Sequence, residues 1–358
     1  MALFLDGPVP LQDTMVFVNK VPLPSNNQFT AMFGSKTYVG TDEIDMATIT
    51  QTNRAAKFRT WDGNFWVAPR DSGDIRKVRM LPLGAQLSVG EYERRQLEAA
   101  RYAGSSAIQG ILADAIYDDL TNLTRYVQNR VELAWGDALA DGVLSISENG
   151  VQQQLDFGVP AAHKVTAAIL WSDHENATPL TDLIAWTATY AKTNGMPQGQ
   201  FKTSMPVIQH LMQNKQLINS IRGAAAGVTW VSIAEINAFL SGFAIPPFVV
   251  PSDGQPGGSV YNSQFDVDGE VVAAFPQNLV LFLPADLSTL GFTAWGQPTT
   301  TIELNANGIQ VAADDHIIGI LVREEQPPFR KTTFVDAVAL PVIADPRKIL
   351  ISTVAEGQ

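Results

Sequence analysis

The stretch Asp114-Ala-Ile-Tyr-Asp-Asp-Leu-Thr-Asn-Leu-Thr-Arg-Tyr-Val-Gln-Asn-Arg-Val-Glu-Leu-Ala-Trp-Gly-Asp-Ala-Leu-Ala-Asp141 carries the strongest periodic signal in the chain. Ile116, Leu120, Leu123, Val127, Val131, Ala134 and Ala138 recur at spacings of three and four, which sets them along one face of a helix. At 1.5 Å per residue that helix runs about 40 Å, well past the usual length of about 11 to 12 residues. Gly136 is a flaw in it, costing about 1 kcal/mol against alanine. The expectation is a bend there, or a stop before a second turn that ends at Gly142. Such a spine needs partners to cover its apolar face, and the flanking sequence supplies them.

Downstream, Val143 to Ser147 and Val151 to Phe157 flank Glu148-Asn149-Gly150, and Asn-Gly is the strongest short hairpin signal. Helical patterns then cover Pro179 to Thr193, Met205 to Ile221 after Ser204, and Ile233 to Leu240 after Ser232. Strand-like runs follow at Pro247 to Val250, Ser259 to Tyr261, Glu270 to Ala274, Leu279 to Leu283, Ile317 to Arg323, Phe334 to Ile343 and Ile349 to Val354. The fold class is α+β, with helices and strands partly segregated. The longest apolar stretches, Phe243 to Pro251, Leu279 to Ala285 and Ile317 to Val322, fall far below the roughly 18 residues a membrane span requires.

Upstream, Ser88 and Glu91 have capping-box spacing for a helix ending at Gly104. Before it, residues 54–84 read as a long two-stranded excursion, with strand-like runs at 58–61 and 77–83 around a turn-rich middle. A lone two-stranded ribbon is marginal in water. This one carries Arg59, Trp61, Phe65, Trp66, Arg70, Arg76, Lys77 and Arg79, so the expectation is that it lies on a partner surface; the plainer alternative is a hairpin packed on its own domain. Residues 1–53 read as an arm: Pro8, Pro10, Pro22 and Pro24 break it, and it has too little apolar sequence for a core. Such a segment is ordered by lying on something else.

Bulk composition excludes several classes. The 358 residues carry a formal charge of -12, which argues against a dedicated nucleic-acid binder. Residues 54–101 nevertheless hold ten basic and six acidic side chains. Hydrophobic residues make up 46% and charged residues 17%, too apolar for a disordered chain. The absence of cysteine removes disulfides, thiolate metal sites and cysteine nucleophiles together. No basic region precedes the short apolar run at the start, so no secretory signal is expected and the default location is cytoplasmic.

Candidate chemistry is sparse. His163, His174, His210 and His316 form no HExxH pattern. Asp173-His174-Glu175 and Asp314-Asp315-His316 are poor chelates if extended, because adjacent strand residues point to opposite faces; solvated turns are the preferred reading. Asp118-Asp119 and the pair Asp137 and Asp141 put carboxylates on the spine, where they read as solvating charge rather than acid/base machinery. Trp171 and Trp186 read as core or interface residues. The expectation is no enzyme, no metal and no cofactor.

The order of these pieces resembles the major capsid protein of tailed bacteriophages with the HK97 fold, and within it the lambda-type capsid protein E family. The residues that carry the resemblance are Arg130-Val-Glu-Leu-Ala134 and Leu139-Ala-Asp-Gly142, then Asp156-Phe-Gly-Val-Pro160, Ala177-Thr-Pro-Leu180 with Trp186, and Ala339-Leu-Pro-Val-Ile-Ala-Asp-Pro-Arg347. The resemblance implies an N-terminal arm over 1–53 running along a neighbouring subunit and an E-loop over 54–84 lying on the next subunit. It implies a P-domain over 85–159 and 326–358, which includes the spine at 114–141 and the hairpin at 143–157, and an A-domain over 160–325 whose tip loops meet at the capsomer centres.

The function so implied is a structural subunit that self-assembles into hexamers and pentamers of an icosahedral head around double-stranded DNA, enclosed by proximity rather than by specific contacts. Implied with it are a virion location after synthesis in the host cytoplasm, a portal, and a decoration protein as in lambda-type relatives. An arm-like segment begins at Met1, so a scaffold or protease is expected as a separate protein. Some relatives join subunits by a Lys–Asn isopeptide bond; Lys57 and Lys77 lie in or near the loop, but no asparagine follows Asn307, so no such cross-link is expected. An encapsulin-like compartment of the same fold is the alternative, and a soluble carboxylate enzyme the alternative of another class.

Overall fold

A computed structural model describes residues 3–4, 9–34, 36–38, 43–49, 73–89, 95, 106–195, 199–224, 227–248, 263–311, 316–323 and 331–357. The spine is a single helix, here α3, Ser106–Asp141. At 36 residues it is about 54 Å long. Leu120, Leu123, Val127, Val131, Ala134 and Ala138 are buried, as their spacing predicts, and Trp135 and Leu139 widen the stripe. Gly136 neither stops nor ends the helix. A Cβ there would lie 1.5 Å from the Ala274 carbonyl oxygen, so glycine is required by a backbone that passes directly against the helix.

The spine lies over a six-stranded sheet whose centre is the long strand β15, Lys331–Ile343. Along one side of β15 runs β5, Leu81–Val89. Along the other run β14, Ile317–Arg323, and β13, Gly291–Gly296, end to end, all antiparallel to it. Two short strands complete the sheet, β1, Leu3–Phe4, on β14 and β2, Lys36–Tyr38, parallel to β13. Because Ser88 pairs with Thr332 inside β5, it does not cap a helix, and the strand expected over 77–83 is interrupted at Met80. The other residues of that expected helix, apart from Val89 and Arg95, lie outside the described residues.

The hairpin after the spine forms as its turn chemistry requires. Its strands are β6, Val143–Glu148, and β7, Val151–Asp156. Asn149 and Gly150 both take positive φ, 47° and 80°, the pair of left-handed conformations a two-residue turn of this class needs.

A second sheet joins the two halves of the molecule. Its order is β8, Lys164–Thr166; β16, Leu350–Thr353; β12, Leu279–Leu283; and β9, Gln200–Thr203. Every residue of β12 is buried, which is why it reads as an unbroken apolar run. Leu279, Leu281 and Leu283 enter the core beneath the spine, whereas Val280 and Phe282 enter a second core. That second core is roofed by α4, Pro179–Asn194; α5, Met205–Gln213; α6, Lys215–Arg222; and α7, Ile233–Ser241.

The continuous helix expected over 205–221 is divided at Asn214, whose backbone is extended and whose side chain accepts from the Leu217 N–H at 3.2 Å and donates to the Ala177 carbonyl at 3.0 Å. A boundary at 160–325 does not separate cores: Phe265, Phe275, Leu290, Trp295 and Ile317 all pack under the spine. The strand expected at 247–250 is not formed over Pro247 and Phe248, and the one at 259–261 lies outside the described residues.

The N-terminal segment is better integrated than its composition suggests. Two helices, α1, Leu11–Lys20, and α2, Gln28–Met32, lie on this chain's own sheet and spine. Val18, Phe29 and Phe33 are buried in the main core, and Phe33 stacks on Trp135 with ring centroids 4.1 Å apart. A few large side chains suffice to seat residues 9–34 on their own subunit. A last helix, α8, Thr299–Ala306, joins Met15, Ile318 and Ile320 in a small outer cluster.

Candidate assembly surfaces

The expected contact loop divides. Arg59, Trp61, Phe65, Trp66 and Arg70 lie outside the described residues. Arg76, Lys77 and Arg79 fall on β4, Gly73–Arg79, which pairs antiparallel with β3, Glu43–Ile49. The ribbon thus starts eleven residues before the expected boundary at Arg54 and includes a strand that composition assigned to the arm.

Ile44 and Val78 face one another across the ribbon and are both buried in the main core, so its base is rooted there. The Gln153 side-chain amide donates to the Arg79 carbonyl at 3.2 Å and ties that base to β7. Lys77 and Arg79 are exposed. Lys77 lies 3.7 Å from Glu43, with the two side chains 69% and 55% exposed, so part of the ribbon's positive charge is already met within it.

Buried charge sits elsewhere. Glu132 on the spine accepts from the Phe29 N–H at 2.8 Å, the Thr30 N–H at 2.7 Å and the Thr30 hydroxyl at 2.7 Å. It caps the first turn of α2, where a carboxylate complements the exposed N–H groups. Lys202, from β9, donates to the Gln28 side chain at 2.7 Å. Burial holds its ammonium down at about 8, against the opposing pull of Glu132. Both residues are fully buried. Sequence patterning did not single them out, because each partner lies 102 or more residues away along the chain.

The remaining candidates resolve into structure. Among the described residues, no group of three or more His, Asp or Glu side chains is arranged to hold a metal ion. His174 is hydrogen-bonded to His210, with Nε2 2.9 Å from Nδ1, and burial together with His174 lowers the His210 pKa. Asp314 and Asp315 lie outside the described residues. Asp137 accepts from the Ser145 N–H at 2.7 Å and Asp141 from the Val143 N–H at 2.8 Å, so this pair anchors the start of the hairpin. Burial raises Asp119, with Asp118 adding to the shift. Trp171 and Trp186 stack in the second core with centroids 5.8 Å apart.

The described residues thus form a long helix across a branched sheet, a helical lobe sharing a wall with it and a rooted two-stranded ribbon. The sequence matches the phage major capsid protein E model over residues 15–354. The chain belongs to that family. Its fold is the HK97-like capsid fold, shared with a crystal structure assigned as the capsid protein of an E. coli prophage. That match has a TM-score of 0.62 at 17% identity and covers 99% of this chain and 100% of the other.

A phage-related protein from Bordetella bronchiseptica is also similar, with a TM-score of 0.54 at 11% identity over 96% of each chain. No curated protein sequence matches significantly. As a phage major capsid protein E, the chain is a structural subunit of a phage head shell and assembles with copies of itself. Among the described residues no helix is long and apolar enough to cross a membrane.

Proposed function

We propose that the subunit forms hexamers and pentamers of an icosahedral head that encloses packaged double-stranded DNA, and that the ribbon is its E-loop. The observation that carries this is the separate two-stranded sheet of β3 and β4, rooted by Ile44 and Val78 and bearing exposed Lys77 and Arg79. A two-stranded ribbon lacks independent stability, and a second copy of the chain gives it a surface. Arg59, Trp61, Phe65, Trp66, Arg70, Arg76, Lys77 and Arg79 are the side chains assigned to that contact.

In this reading residues 85–159 and 326–358 build the peripheral part of the capsomer, while the helical lobe within 160–325 faces its centre. The DNA is enclosed without specific contacts, in keeping with the charge of -12. A portal and a scaffold or protease are the expected partners, with a decoration protein as a further one. Synthesis takes place in the host cytoplasm, and the mature head carries no covalent ladder between subunits. Family membership favours a phage head over an encapsulin-like cargo compartment. Electron microscopy of the purified protein tests the proposal: shells or capsomer rings are expected, and a preparation that remains monomeric at all concentrations would remove it.

A further inference from the structure

Asn149-Gly150 closes the β6–β7 hairpin, but an Asn-Gly pair is also chemically labile, asparagine being a thermolabile residue. The backbone nitrogen of the glycine can attack the asparagine carboxamide, and the missing Cβ leaves that approach unhindered. Three such pairs occur in the chain, at Asn149, Asn194 and Asn307. As sequences they are alike; the fold treats them differently.

At two of the three, both reacting groups are held. Asn194, in the last turn of α4, donates from Nδ2 to the Arg347 carbonyl at 2.7 Å, and the Gly195 N–H donates to the Ala191 carbonyl at 2.9 Å. Asn307, at the end of α8, donates from Nδ2 to the Glu303 carbonyl at 2.7 Å, and the Gly308 N–H donates to the Asn305 carbonyl at 3.0 Å. Nucleophile and electrophile meet there only after these bonds break.

At Asn149 neither group is held. Among the described residues, its carboxamide and the Gly150 N–H have no hydrogen-bond partner. Both residues are exposed, and the space beside Gly150 is open, since a Cβ built there would meet nothing within 4 Å. The turn is fixed only at its base, where Glu148 pairs with Val151.

We propose that Asn149 is a site of spontaneous deamidation, the one Asn-Gly pair of the three that the native fold leaves free to react. The Gly150 nitrogen bonds to Asn149 Cγ and gives up its proton; the Cγ–Nδ2 bond breaks, and Nδ2 takes up that proton and leaves as ammonia. Water then opens the five-membered imide at either of its carbonyls, yielding aspartate or isoaspartate. Neither step needs an oxidant or a cofactor.

The two products act differently on the hairpin. Aspartate keeps the backbone, and Asp-Gly suits the same turn. This chain already contains an example: the hairpin of β10, Gln264–Val267, and β11, Glu270–Ala273, turns on Asp268-Gly269 with φ of 54° and 89°. Isoaspartate instead routes the main chain through its side-chain carbon and adds a backbone atom between β6 and β7, which a two-residue turn does not absorb. Either product places a new carboxylate beside Glu148, which is ion-paired with Arg130 of the spine.

Peptide mass mapping of the purified protein, held in warm, mildly alkaline buffer, tests the proposal. The peptide with Asn149 should gain the mass of a hydroxyl in place of an amino group and split into two isomers, one a substrate for isoaspartyl methyltransferase. It should do so at least tenfold faster than the peptides with Asn194 and Asn307, and in denaturant the three rates should converge. Equal rates in the native protein overturn the proposal, as does a preference for Asn149 that persists in denaturant, which would place the selection in the sequence rather than the fold. A second arm addresses the turn. Asn149→Asp should keep the thermal midpoint of the fresh protein, whereas the isoaspartate form, isolated by chromatography, should unfold at a lower temperature; equal midpoints count against the opened turn.

Discussion

At the level of single residues, Glu132 shows how one buried charge fixes a whole segment. Its carboxylate takes three hydrogen bonds from Phe29 and Thr30, and it offsets the ammonium of Lys202. Removing one partner of a buried pair leaves an uncompensated charge and costs about 3 to 5 kcal/mol. Glu132→Gln is therefore expected to lower the stability of the unassembled subunit by about that amount at pH 7. The pH dependence has a definite sign. Burial holds Lys202 at about 8, below its unfolded value of 10.5, so the native state disfavours its charged form. That penalty is present in full below the folded value and is relieved as pH rises through it toward 10.5. Loss of Glu132 deepens the penalty, so the deficit of the variant should be largest near pH 7 and shrink by pH 10. Denaturant midpoints of both proteins at the two pH values check this; a deficit independent of pH would assign it to the lost hydrogen bonds alone. Neither residue is legible in the sequence, because a helical period identifies which face is covered and not which distant side chain covers it.

Among elements, the spine shows what periodicity carries and what it omits. Its buried stripe follows directly from residues 116 to 138, and Asn149-Gly150 specifies the hairpin that follows. In sequence terms Gly136 reads as a bend or a stop, and only the position of Ala274 shows that it marks a close approach instead. Gly136→Ala separates the two contributions. Alanine favours the helix by about 1 kcal/mol, but its Cβ would overlap the Ala274 carbonyl, and such overpacking typically costs about 1 to 3 kcal/mol or more. The net expectation is a lower thermal midpoint with unchanged helix content, read by circular dichroism; a higher midpoint would mean that the passing backbone at Ala274 yields freely. The ribbon was legible as a two-stranded unit but not in its pairing. β3 lies before the basic stretch, and its short sequence Glu43-Ile-Asp-Met-Ala-Thr-Ile49 has no turn of two to five residues linking it to β4. Hairpin signals depend on such short links, so a partner 24 residues further on escapes them.

For the whole molecule, the distribution of charge bears on assembly more than on folding. The body is acidic and the region from Arg54 to Arg101 is basic, but Lys77 is already within 3.7 Å of Glu43 on the same ribbon. The positive side chains of β4 therefore serve either the ribbon itself or its neighbour, and two variants distinguish these roles. Both Lys77 and Glu43 are well exposed, and exposed pairs of this kind are worth about 0 to 1 kcal/mol, so breaking the pair leaves the subunit folded. Reversal of Arg76, Lys77 and Arg79 to Glu removes positive charge from the ribbon and is expected to abolish shells while the free subunit stays soluble. Glu43→Lys breaks the same internal pair but makes the ribbon more positive, and shells should form normally. Particle counts by electron microscopy at physiological salt decide the matter, since exposed contacts are already screened beyond about 8 Å there. Loss of shells in both variants would place the role of Lys77 inside its own ribbon. Loss in the triple reversal alone would place it against the neighbouring subunit.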